Sequence, residues 1–397
     1  MNIEEFRTYI KNNFSLIDES ISKEDIRFKT INKNNGTSYE GLLIQKENTN
    51  ISPVINLNNY FRDTLTEMDM SNILKEIAFT LKEASHNKIN LDYIADFNQV
   101  KEDLSFKVIN ANANKDLLKT LPHRIVNDFA IIYKIELPAV EHVGEASFNL
   151  TTNLMKQYHM TEQDLYTAAT YNASKKSPAQ LTSMENTLQS LFLGESEVTN
   201  LLALSFDEMK QQDRIDEQMY VLTNKNGVHG ANTLFYPDTL DNVFKFLQKD
   251  FVVLPSSIHE VIIIPINKKI NEEELTKMVK EINATEVASD EILANQAYSY
   301  DGTAKQICPL KEYEVTKTKG MQRREEIFKE LKRAGLKPNE KLIHSMHSLD
   351  RELNKKATLK DVEKMGNESK ATPKATIVIK ESLRQLHIME MDVGLEP

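Results

Sequence analysis

The chain has 397 residues, enough for more than one packed unit. Its 49 basic and 59 acidic side chains leave a formal net charge of −10, and 40% hydrophobic residues exclude a disordered or collagenous chain. A single cysteine, Cys308, excludes an intrachain disulfide and a cysteine-built metal cluster; no apolar run reaches bilayer length and the first residues are acidic, so a cytoplasmic protein is expected.

The charge is uneven. Residues 319–397 hold 17 Lys and Arg against 13 Asp and Glu, a net of +4, so residues 1–318 carry 32 against 46, a net of −14. An acidic body repels phosphate backbones, which speaks against nucleic-acid binding there and leaves weak association at most for the tail.

In chain order, Ile3, Phe6 and Ile10 recur at helical spacing near the N-terminus. Strands over 25–31 and 39–45 flank Asn32 to Gly36, a run tolerant of positive φ, and so predict a hairpin. Helices are expected over 57–67 and 71–84, the second capped by Ser71. Buried strands are expected over 106–109 and 129–135, then a linker over 138–145. Thr161 to Asp164 opens a helix that Pro178 stops, and another helix runs through Leu191. From Met219 to Asp301 the pattern reads strand, turn over 225–230, strand over 231–236, helix, strand, turn at 255–257, strand over 258–265, and a helix after Asn271. Ile327, Phe328, Leu331 and Ala334 then mark a helical face, and a further helix is expected through Leu342, Met346, Leu349 and Leu353. These elements predict an α+β fold of antiparallel sheets covered by helices, with a helical C-terminal tail. The expected divisions are modules over 1–140 and 141–318 and a mildly basic tail over 319–397.

The stretches MYVLTN, GVHGAN, FVVLPSSIHEVIIIP and MVKEINATEV resemble an uncharacterised domain family of gut Firmicutes, often carried on conjugative elements. NKNNG, NANANKDLLKTLP and DFAIIYKIEL match the same family's first half, so the resemblance covers about residues 1–301. It implies a shared α+β fold and a mobile-element context, and it names no reaction.

Possible nucleophile, base and acid crowd together only at Ser256, Ser257, His259 and Glu260. A strand beginning at Ser257 puts Ser257 and His259 on one face and Glu260 on the other, so a triad needs its carboxylate from elsewhere. The GxSxG elbow is missing and position 263 is Ile263, which removes the HExxH metal motif. The competing reading makes the serines a turn and gives His259 and Glu260 polar partners at a sheet end. Asn224, Gly227 and Gly230 frame a loop that could hold a ligand, although a hairpin loop explains both glycines. His344 and His347 have metal-like spacing but share their helical face with Arg351, so no metal is expected; neither is a cofactor. The chain therefore reads as a cytoplasmic, non-enzymatic adaptor or modulator of a mobile genetic element, with a protein partner and no membrane contact. The alternatives are a hydrolase-like enzyme centred on Ser257 and His259, and nucleic-acid association through the tail.

Overall fold

The computed structural model describes residues 2–45, 54–85, 91–140, 144–193, 199–205, 208, 219–267, 270–335, 343, 346, 350 and 356–361. They form an α+β fold of antiparallel sheets covered by helices. The chain divides into two compact units, each discontinuous in sequence: Met1–Asp103 with Ala111–Pro122 and Lys134–His159, and Leu104–Asn110 with His123–Tyr133 and Met160–Pro397.

In the first unit, α1 (Ile3–Asn13) starts at a capping box in which the Asn2 and Glu5 side chains each accept the other's backbone N–H. Phe6 and Ile10, one turn apart, face inward. The hairpin β1 (Ile26–Asn32) and β2 (Ser38–Ile44) pairs Ile26 with Ile44 through Asn32 with Ser38, and Asn35 and Gly36 take the positive φ its loop requires. Next come β3 (Val54–Asn56), paired to β2, and α2 (Glu67–Ser85). The helix expected over 57–67 is only a 3-10 turn, Leu57–Asn59. Ser71 is not the cap of α2. Thr66 fills that place, donating to the Asp69 carboxylate and accepting from the Asp69 N–H. Phe6, Ile10, Phe14, Leu42, Leu74 and Ile77 make the core beneath these elements.

Short helices α3 (Leu91–Ala95) and α4 (Phe97–Val100) follow; then β4 (Leu104–Asn110) falls in the second unit, α5 (Lys115–Leu118) in the first, and β5 (His123–Val126) in the second. β6 (Phe129–Val140) starts in the second unit, where it pairs β5, and ends in the first, where it pairs β7 (Gly144–Asn149). Pro138, expected in a linker, lies within β6 where the ladder shifts register between Leu137 and Val140; such a bulge tolerates a residue without an N–H. α6 (Thr152–Gln157) closes the first unit.

The second unit continues with α7 (Glu162–Lys176), β8 (Ala179–Ser183), α8 (Met184–Leu193), β9 (Tyr220–Asn224), α9 (Thr239–Leu247), β10 (Phe251–Leu254), β11 (Val261–Pro265), α10 (Glu272–Thr285), β12 (Tyr298–Asp301), β13 (Gln306–Pro309) and α11 (Tyr313–Arg333). Thr161 and Asp164 form the expected capping box of α7. Six strands make one antiparallel sheet in the order β13-β12-β10-β11-β9-β8. Val252, Leu254, Ile262 and Ile264 pack with Val279 and Leu275 of α10, whereas Tyr220 meets Phe246 of α9 edge-on at 5.8 Å. Two expected strands are corrected. Residues 231–236 lie in and just after a 3-10 helix, Gly230–Phe235, all six of whose residues are buried, and the strand expected over 258–265 begins only at Val261.

α11 runs unbroken across residue 318, with Ile327 and Leu331 buried and Phe328 outward. Its far half is tied by Arg323, which binds the Asp350 carboxylate through two nitrogens at 2.7 and 2.9 Å and donates to the Ala357 carbonyl at 2.7 Å. Of the helix expected beyond it, Met346 is buried, while Leu342, Leu349 and Leu353, like His344, His347 and Arg351, lie outside the described residues. Among the described residues no helix is long and apolar enough to cross a membrane.

Candidate functional site

β10 ends at Leu254, and the next residues leave the sheet to run beside 291–294. Ala294 N–H reaches the Pro255 carbonyl (3.1 Å), Leu293 N–H the Ser256 carbonyl (3.3 Å), and Ile258 N–H the Glu291 carbonyl (2.9 Å). Ser257 and Ile292 form an isolated antiparallel bridge. Ser257 and His259 are therefore not neighbours on a strand face, as the period-two reading had them. They are the two ends of a tight turn, in which buried Ser257 Oγ accepts the His259 N–H at 2.9 Å.

The imidazole is committed as well. His259 Nδ1 accepts the His229 backbone N–H at 3.3 Å, and its Nε2 lies 3.4 Å from Glu291 Oε1. The His229 ring stacks over it, centroids 5.8 Å apart and planes 13° from parallel. The carboxylate that had to come from elsewhere is thus Glu291. No short-range spacing announced it, because it lies 32 positions along the chain and is brought in by the 255–258 pairing. Glu260 is half-buried immediately before β11. Neither imidazole nitrogen is directed at Ser257 Oγ, so the constellation lacks the hydrogen bond that activates a serine nucleophile.

The loop after β9 closes on itself. Buried Asn224 donates to the Val228 carbonyl (2.9 Å) and accepts from the Asn226 N–H (3.1 Å), and Gly227 N–H returns to the Asn224 carbonyl at 3.1 Å. Gly227 has φ +66 with open space where a Cβ would stand. At Gly230 a Cβ would collide with Thr223 Oγ1 and the His259 carbonyl, which already accepts the Thr223 hydroxyl at 2.8 Å. The hairpin-loop reading is therefore corrected: this loop joins β9 to a buried 3-10 helix, and Gly230 permits its approach to the Ser257–His259 turn. The structure brings Ser256, Ser257, His259, Asn224 and Gly230 together as interlocked turns whose polar groups bind one another. Among the described residues no group of three His, Cys, Asp or Glu is placed to hold a metal.

Exposed surface of another kind lies on α8. Ser183 starts this helix by accepting the Asn186 N–H at 3.2 Å, and Met184, Thr187 and Ser190 turn inward. Leu188, Leu191, Phe192 and Leu193 are all exposed; Leu191 is 75% and Phe192 84% exposed. The sequence announced an apolar helix through Leu191, but periodicity reports a stripe, and whether anything covers it is tertiary information.

Carboxamides cover part of the sheet edges. Asn200 donates to the Ala179 carbonyl (3.0 Å) and accepts the Leu181 N–H (3.0 Å) of edge strand β8; Asn127 donates to the Ile307 carbonyl (3.1 Å) of β13. Asn232 does the same on β4, reaching the Phe106 carbonyl at 2.7 Å and the Val108 N–H at 3.0 Å. Each carboxamide stands in for part of a neighbouring strand.

Neither a curated protein nor a solved structure was found to match the chain. One family model does match, over residues 3–302, from the start of α1 to just past the end of β12. The sheet's last strand β13 and helix α11 thus lie beyond the matched span, while the interlocked turns and α8 lie within it. With three quarters of its length so matched, the chain belongs to a family of unknown function, DUF5688.

Proposed function

We propose that this protein is a cytoplasmic, non-enzymatic binding protein that engages a protein partner through the outer face of α8, in the mobile-element setting implied by the resemblance of its sequence motifs. The supporting observation is their exposure: Leu188, Leu191, Phe192 and Leu193, all large and apolar, are exposed together on one short helix. Isolated surface leucines need no explanation, but contiguous apolar residues of this size mark interaction surfaces. Asn200 and Asn127 oppose strand addition at the groups they cover, which favours side-chain docking on a helix over backbone pairing. The hydrolase reading loses support because Ser257 Oγ and both His259 nitrogens are turned to other groups.

Affinity capture from the native host tests the proposal. Wild type should retain a specific partner that Phe192→Asp loses without a change in melting temperature, while Ser257→Ala keeps it. Equal capture by wild type and Phe192→Asp, or loss with Ser257→Ala at unchanged stability, overturns the reading.

A further inference from the structure

Beneath the first turns of α11 lies a partly buried charge cluster that the binding proposal does not use. Asp301, at the end of β12, has no solvent exposure. Its Oδ1 accepts the N–H groups of Thr303 (2.7 Å) and Ala304 (3.2 Å), while its Oδ2 is buried with no hydrogen-bond partner among the described residues. α11 closes over this turn: Gly320 is buried there, and a Cβ on it would collide with Ala304.

A second carboxylate, Asp250, shares the cluster and takes its donors. Asp250 Oδ1 accepts the Gly302 N–H (2.9 Å); its Oδ2 accepts the Tyr313 hydroxyl (2.6 Å) and the Lys317 ammonium (2.9 Å). Lys317 and Tyr313 are also 2.9 Å apart. The groups acting on Asp301 are thus the Thr303 and Ala304 amides from its own turn, Asp250 just before β10, and Lys317 from α11. Cys308, buried on β13, lies close enough to feel the Asp301 charge. Two carboxylates, Asp301 fully and Asp250 partly buried, face one ammonium, and that ammonium is bound to Asp250. Burying the second negative charge without a bound countercharge costs far more than burying a neutral carboxyl.

We propose that Asp301 carries a proton when α11 is seated on the β12–β13 hairpin, and that losing this proton loosens the first turns of the helix, which makes α11 docking responsive to pH. The directions of the two acids agree with such a division. Burial, opposed by its two amide donors, pushes Asp301 up; burial also acts on Asp250, but Tyr313, Lys317 and Gly302 outweigh it and hold that carboxyl below its ordinary value. The sign follows from linkage. A carboxyl whose folded-state value is raised binds more protons in the docked state than in the open one. Its contribution is therefore complete below the ordinary Asp range and is lost as pH rises through the raised value.

Hydrogen exchange on the full chain tests this, read at pH 4.5 and 8.5 and corrected for the intrinsic rate. Amides in the first turns of α11 should lose protection at the higher pH. Asp301→Asn keeps an oxygen acceptor for Thr303 and Ala304 and cannot ionise. It should abolish the pH response and melt above wild type at pH 8.5. Asp250→Asn, which releases Lys317 to pair with Asp301, should flatten the response as well. Equal wild-type protection at both pH values, a response surviving in Asp301→Asn, or an Asp301→Asn protein less stable than wild type at pH 8.5 would each overturn the proposal.

Discussion

The turn at Ser257–His259 and the helix α8 invert each other. The turn has side chains of catalytic type, yet Ser257 Oγ holds the His259 N–H and His259 Nδ1 holds the His229 N–H, so the chemistry is spent on the backbone. α8 has side chains of core type, yet Leu191 and Phe192 stand in solvent. Residue type alone misleads at both places. What separates them is where each side chain's contacts lie, and the account of function follows those contacts.

The largest effect should come from breaking the turn's packing. Gly230→Ala forces a Cβ into Thr223 Oγ1 and the His259 carbonyl, and should cost about 3 kcal/mol in denaturant unfolding. A mild loss would show that the two turns are not packed as described. Asn232→Ala orphans one carbonyl and one amide of β4 and should cost about 2 kcal/mol in the same assay. His259→Ala removes the acceptor of the His229 N–H and the partner of Glu291; about 1 kcal/mol is expected, with Ser257→Ala similar or smaller. At the bottom of the order, Leu191→Asp or Phe192→Asp should change stability by no more than about 0.5 kcal/mol, since neither side chain packs on the core. A helix that melts with these substitutions is covered by something, and the comparison between the two regions would then need redrawing.

The same contrast explains what could be read from the sequence. The hairpin β1–β2 was legible because alternation and the loop residues Asn35 and Gly36 agree locally, and α7 because Thr161 and Asp164 cap it within four residues. Residues 231–236 were misread because Thr, Leu, Phe and Tyr favour strands. Their 3-10 form is set by distant partners instead: Gly230 beneath the His259 carbonyl and Asn232 on β4. β8 escaped notice because its five residues, Ala179–Ser183, are short and mixed in polarity; it is defined by its ladder to β9 and by Asn200. The start of α2 was misplaced because Ser71 and Thr66 are both acceptable caps, and the Asp69 carboxylate decides for Thr66. At the site, the sequence marks Ser257, His259, Asn224 and Gly230, and these do converge. Nothing in the sequence marks Glu291, because a pairing between 255–258 and 291–294 leaves no trace in either segment.

Hydrogen–deuterium exchange on the protein bound to the partner recovered from its native host tests the central claim most directly. The account predicts new protection over Met184–Leu193 and unchanged exchange over Pro255–Glu260. Protection appearing at Pro255–Glu260 while Met184–Leu193 stays as in the unbound protein would contradict it, and would return the function to the serine–histidine turn.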